Sequence, residues 1–259
     1  MLTTILTGGV ATVAGCNDTG GASDPSRGAL SSVSVEGTTL AVEFESETDA
    51  TQLAVLAPSG EAFADRELTP GASRETIPLG TSYPPGTYTI QLVDGDSVMA
   101  AVEQPIRPDI AITDLQLARN HPDEMYEGAG DLTVSTEVIV GLENTGSGPE
   151  QITALQFSGD IPNPTPDDLS GSGIAAPEEP VRFGKPTIEP GESLTIYSRS
   201  LPFSPNSSGV ECTPEGTDGQ FTTTLTSSVT GEETERTYTV TYRGDSLSEC
   251  QIAIEERDS

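Results

Sequence analysis

Short runs of alternating apolar and polar residues, cut at intervals by Gly, Pro and Asp, recur from residue 29 to residue 254. Leu40, Val42 and Phe44 alternate with Ala41, Glu43 and Glu45, and Tyr88, Ile90 and Leu92 share one face of a later run. A strand sends successive side chains to opposite faces, so this period marks one buried and one wet face. Asp94-Gly95-Asp96 and Thr230-Gly231-Glu232-Glu233 are turn chemistry between such runs and predict hairpins. The fold class expected is all-β, with antiparallel sheets packed as sandwiches.

Two sandwiches fit the punctuation. Residues 29–103 hold runs at 30–35, 40–44, 52–56, 75–77, 85–93 and 97–102, a spacing that suits a small sandwich of about seven strands. Gln104-Pro105-Ile106-Arg107-Pro108 carries two prolines and is expected to be an extended, stiff linker over 104–108. Residues 109–256 form the larger second unit. Its runs begin with Ile110, Ile112, Leu115 and Leu117, and Leu132–Leu142 is expected to be its longest strand. Further runs lie at Ile152–Phe157, Ser193–Tyr197, Phe221–Val229, Thr237–Tyr242 and Gln251–Ile254. Residues 159–180 contain five Pro and three Gly with little periodicity, and are expected to form a surface flap pinned by Ile161, Leu169 and Ile174. The segment 203–219 is a second long loop.

The run Pro84–Asp96 resembles the penultimate hairpin of extracellular immunoglobulin-like domains. In the second unit, a strand ends at Glu143-Asn144-Thr145-Gly146 and Ile188-Glu189-Pro190-Gly191-Glu192 precedes another. That order resembles cell-adhesion-related sandwich domains of archaeal and bacterial surface proteins. The resemblance implies fold and is silent on activity.

Residues 1–16 are a modestly apolar stretch ending in Val13-Ala14-Gly15-Cys16, followed at once by polar residues. The junction looks like a lipobox, in which Cys16 becomes the lipidated first residue of the mature chain. The apolar stretch is shorter than the roughly 20 residues a spanning helix needs. No Lys or Arg precedes Arg27, so the native start is expected upstream, carrying the missing basic residues. Residues 17–28 are expected to be a flexible tether. This places the protein outside the cytoplasm, anchored to the cell membrane by lipid alone.

Asp and Glu number 41 against 11 Lys and Arg, a net charge of −30 spread along the whole chain. Such a charge repels itself in dilute buffer and is screened at molar salt, where the Debye length falls to about 3 Å. Dispersed acid with a single Lys, Lys185, resembles the proteins of extremely halophilic archaea. The regular alternation argues against the alternative, an acidic disordered chain. The balance also excludes nucleic acid as a partner.

With Cys16 lipidated, Cys212 and Cys250 remain as an even pair, expected to form a disulfide in an oxidising exterior. Asn206-Ser207-Ser208 fits an N-glycosylation acceptor at Asn206. Catalytic chemistry is hard to find. The one histidine, His121, sits in a loop setting before Pro122, and no nucleophile or phosphate-cradling motif accompanies it. No catalytic, cofactor or metal residues are assigned. Asp94/Asp96 and the loop Asp123, Glu124, Glu127 with Asp131 are considered for calcium and read as a hairpin turn and a solvated acidic loop. The function expected is a non-catalytic, membrane-anchored adhesion, scaffold or accessory module that contacts another envelope protein. The alternative is a ligand- or cation-binding lipoprotein serving transport.

Overall fold

The computed structural model describes residues 28–168, 170–175, 184–204 and 209–257. The expected signal, tether, lipidated Cys16 and glycosylated Asn206 lie outside these residues, as does Leu169. The first unit has seven strands: β1 (Leu30–Glu36), β2 (Thr39–Phe44), β3 (Gln52–Leu56), β4 (Ala62–Glu67), β5 (Arg74–Pro78), β6 (Gly86–Asp94) and β7 (Ser97–Ile106). They form two antiparallel sheets, ordered β1-β2-β5 and β4-β3-β6-β7. Leu40, Val42, Leu53, Val55, Ile77, Tyr88, Ile90 and Leu92 fill the space between them. These are the alternating residues of the sequence, which is why the two faces separate so cleanly. Gly95, at φ 57°, makes the tight turn from β6 to β7. The Tyr88 hydroxyl, near the start of β6, donates back to Pro84 O at 2.8 Å. Such a tyrosine corner is a hallmark of immunoglobulin-like sandwiches.

Among its described residues the second unit has nine strands and a short helix: β8 (Ile110–Leu117), α1 (Asp131–Thr136), β9 (Val138–Asn144), β10 (Glu150–Gly159), β11 (Ile174–Ala175), β12 (Thr187–Ile188), β13 (Ser193–Ser198), β14 (Thr217–Ser227), β15 (Glu233–Arg243) and β16 (Gln251–Glu256). Its sheets run β11-β13-β9-β8 and β12-β10-β14-β15-β16. Val138, Val140, Leu142, Leu155, Phe157, Ile196, Phe221, Leu225, Val240 and Tyr242 form the core. The chain is therefore two tandem antiparallel β-sandwiches.

Two expectations about elements need correction. Residues 131–136 are helical; only Val138–Asn144 of the expected long strand is extended. β8 ends at Leu117, opposite Val138, so nothing remains for residues 131–136 to pair with. The backbone closes on itself instead, Val134 N–H donating to Gly130 O and Glu137 N–H to Thr133 O, and Leu132 is left 59% exposed. The hydroxyls of Ser135 and Thr136 donate to Leu132 O, a local bonding that competes with strand pairing. The linker is also shorter than 104–108. Gln104, Pro105 and Ile106 belong to β7, paired with Tyr88, Thr87 and Gly86. Pro105 is accommodated because β7 is an edge strand of its sheet.

What remains of the linker is held on the second sandwich. Ser147 and Gly148 N–H both donate to Arg107 O, at 2.8 and 3.1 Å, and Thr145 N–H donates to Asp109 O at 2.9 Å. Asn144, fully buried, organises this turn. Its Oδ1 accepts from Asp109 N and Gly146 N, and its Nδ2 donates to Gly148 O and Ile188 O. Tyr83 of the first unit donates to Pro149 O at 3.0 Å. Gly148 leaves room for that ring: a Cβ there would lie 2.1 Å from the Tyr83 hydroxyl. Burial, and then the carboxylate of Glu150, push the Tyr83 hydroxyl pKa well up, which keeps it a donor. Glu150 is itself fully buried, and its carboxylate accepts from the N–H groups of Gln151, Ser228, Val229 and Thr230. The β14–β15 hairpin tip is thereby fixed against the first unit, where Val229 packs on the first core and Ser228 Oγ donates to Thr81 O.

Asn144→Ala is expected to lower the unfolding free energy by about 3 kcal/mol in a denaturant titration, because it strands buried backbone groups. Thr145→Ala, one residue on and exposed, should change it by less than about 0.5 kcal/mol. Equal losses would show that Asn144 is not the organising contact.

Candidate functional site

The strand directions sort the second sandwich into two ends. One, formed by 107–110, 144–150, 187–193 and 227–233, faces the first unit. The other gathers the long connections after β8, β10, β13 and β15, and it carries the helix, the disulfide and most of the irregular backbone. Loops set on a rigid sandwich are where binding residues collect, so this end is the candidate site.

Arg119 ties it together from a 3-10 turn, Ala118–Asn120, that follows β8. Its Nε donates to Ser135 O at 2.9 Å, and Nη2 also reaches Ser135 O. Nη2 donates to Phe203 O at 3.2 Å, and Nη1 to Cys250 O at 3.4 Å. One guanidinium thus joins the end of α1, the loop after β13 and the start of β16. Burial pulls its pKa below the usual arginine range. Asn120 adds a bond from Nδ2 to Ile252 O at 3.3 Å. Phe203, buried, stacks edge-on against Phe221 with centroids 5.7 Å apart.

A second cluster surrounds Glu137, the residue between α1 and β9. It is 6% exposed, and its Oε2 has no hydrogen-bond partner among the described residues. Burial pushes its carboxyl up to about 7, while the Arg199 guanidinium and a hydrogen bond from the Tyr126 hydroxyl pull the other way. The Tyr126 ring meets Tyr197 edge-on at 5.0 Å, and the Tyr197 hydroxyl donates to Glu124 O at 3.0 Å. His121 lies at the rim, Nδ1 3.2 Å from Glu124 Oε1, an exposed pair. No hydroxyl or thiol bonds its ring among the described residues.

Of the residues singled out in the sequence, Cys212 and Cys250 are brought together as a disulfide with Cα atoms 6.0 Å apart. It fastens the loop before β14 to the head of β16. Asp94 ends β6 and pairs with Ser97, and Asp96 sits with Gly95 in the hairpin turn between them. The acidic loop is a 3-10 turn at Pro122–Glu124 running on to α1 at Asp131. Among the described residues, no three His, Cys, Asp or Glu side chains gather as a metal set. Ile161 and Ile174 are buried in the second core, Ile174 as part of the sheet strand β11 and not of a surface flap. Sequence reasoning missed Arg119, Glu137 and Glu150, because nothing local separates Glu137 or Glu150 from the other acids.

No family model matches the chain, and no curated protein matches it. Among solved structures, a two-domain fibronectin type III segment of chicken tenascin aligns at 12% identity and TM-score 0.27, over 88% of this chain and 96% of that one. A glycoside hydrolase family 2 β-glucuronidase aligns at 10% identity and TM-score 0.24, over 82% of this chain. Escherichia coli α2-macroglobulin aligns at 12% identity and TM-score 0.25, over 84% of this chain. The chain spans only 20% of the length of the β-glucuronidase and 17% of the macroglobulin. The sandwich assignment rests on the sheets and their registers.

Replacing both cysteines by Ala is expected to lower stability by roughly 4 kcal/mol, the chain-entropy value for a loop of this length. Calorimetry of the intact and double-Ala proteins measures it, and a loss under about 1 kcal/mol would make the bridge incidental. Glu137 binds a proton more tightly folded than unfolded, so its contribution is fully present below about pH 4.5 and lost as the pH rises through about 7. The stability of the wild type relative to Glu137→Gln should fall across that window in pH-dependent thermal melts. A flat difference would refute the assignment.

Proposed function

We propose that this chain is a non-catalytic surface protein of a halophilic archaeon, anchored in the cell membrane through lipid on Cys16. Its two sandwiches carry the loop-built end of the second outward, where it engages another envelope protein as an adhesion, scaffold or accessory module. The observation that carries the reading is the Cys212–Cys250 bridge at that end. A disulfide persists in an oxidising exterior and is rare in a cytosol, so it supports the extracytoplasmic address. The dispersed net charge of −30 supports a high-salt habitat. Buried hydrogen bonds donated by Tyr83 and Asn144 and accepted by Glu150 support a stiff joint, which suits presentation of a surface more than closure on a substrate. The ligand-binding alternative is favoured by one observation, an open cavity beside Arg119. That cavity adjoins β16, with Gln251, Ile252 and Ala253 in its lining.

In source cells, Cys16→Ala should move the protein from the membrane fraction to the soluble or secreted fraction. Retention in the membrane fraction would refute lipid anchoring. Affinity capture of the wild type from detergent-solubilised envelope should recover a stoichiometric envelope protein. Recovery of a transporter permease would move the assignment to the transport alternative.

A further inference from the structure

An open cavity of about 610 Å³ lies beside edge strand β16, with Arg119, Asn120, Thr241, Arg243, Gln251 and Ile252 among the residues around it. Its volume falls in the range typical of small-ligand sites. Cys250 closes one wall, so the disulfide fixes the backbone there.

Two arginines elsewhere are ion-paired: Arg74 bridges Glu36 and Glu43, and Arg236 meets Glu256 at 2.7 Å. Among the described residues, the two beside this cavity are not. Arg119 bonds only carbonyl oxygens, which satisfy its N–H groups without cancelling its charge. Arg243 makes no ion pair and no side-chain hydrogen bond among the described residues. Its guanidinium lies beside Gly216, where a Cβ would stand 3.5 Å from Nε and Nη2, at ordinary contact distance. An acid adjoins this face as well: Asp218 accepts from the Thr241 hydroxyl at 2.8 Å and keeps its charge. In a chain with 41 acids and 11 basic residues, two guanidiniums without an ion-pair partner among the described residues border one cavity.

The other groups narrow the ligand. Asn120 spends its Nδ2 on Ile252 O, leaving Oδ1 as an acceptor. Gln251 is exposed and offers donor and acceptor together. Ile252 and Ala253 supply a small apolar shelf. A free guanidinium fork matches a carboxylate bidentately, and the amide and hydroxyl groups match neighbouring hydroxyls. We propose that this cavity binds the carboxylate of a sugar acid, with Arg243 as the fork, Arg119 as the supporting charge, and Asn120 and Gln251 on the hydroxyls. The sugar acid is either free or a unit of an acidic polysaccharide.

The test titrates the full-length, detergent-solubilised protein by calorimetry with sodium glucuronate, an oligogalacturonate and glucose, at constant ionic strength. Glucuronate is expected to bind with a Kd on the order of 1 mM, and glucose at the same concentration to give no heat of binding. Arg243→Gln, on an exposed position, should keep the melting temperature and weaken glucuronate about tenfold or more, the loss of one charge-assisted pair. Oligogalacturonate binding about tenfold tighter than glucuronate assigns the polysaccharide source, and equal binding assigns the free acid. No glucuronate binding, equal binding of glucose, or unchanged affinity in Arg243→Gln overturns the proposal.

Discussion

The arrangement of the two sandwiches depends on a buried polar turn. Asn144 sits at zero exposure and still uses both oxygen lone pairs and both amide hydrogens on four backbone groups. A buried polar side chain stabilises a fold only when it is fully satisfied. Here satisfaction requires the linker, the turn after β9 and the strand β12 to meet at one point. Glu150 repeats the device six residues on, its carboxylate gathering four N–H groups from β10 and the β14–β15 tip. An apolar residue in either place would pack without fixing the positions of those segments.

The legible part of the structure was the part set by period-two burial. β2, β3, β5, β6, β10, β13 and β16 fall where alternating apolar residues put them, because one buried face fixes each register. β4 was not legible: Ala62–Glu67 is an edge strand with little burial, so its sequence is free to be polar. Residues 131–136 misled for the opposite reason. They are rich in Thr and Val, yet their partner strand stops short, and tertiary context overrode propensity. Pro105 reads as linker in the sequence, yet it sits in β7, an edge strand whose outer side tolerates a residue without N–H. In the candidate site, Cys212 and Cys250 were legible by parity. Glu137 and Arg119 were not, since burial of one acid among many depends on long-range packing.

Two buried carboxylates show how differently an acidic chain handles its own charge. Glu150 is surrounded by N–H donors and lies among fixed backbone. Glu137 has one oxygen with no hydrogen bond, beside Arg199 and Tyr126, at the base of the irregular end. The first is part of the joint; the second leaves the loop-built end sensitive to protonation. The two ends of the second sandwich therefore differ in chemistry as well as in shape.

β16 continues its sheet past β15, and a strand in that position ordinarily offers free carbonyls to any passing chain. Here the carbonyls of Cys250 and Ile252 are already taken by the side chains of Arg119 and Asn120. The disulfide holds the head of the strand in place while they are taken. The head of this edge is capped by side chains from the opposite layer, which hinders growth of the sheet from molecule to molecule at that point. Where copies stand close together, such a cap keeps them from zipping into fibres through this stretch.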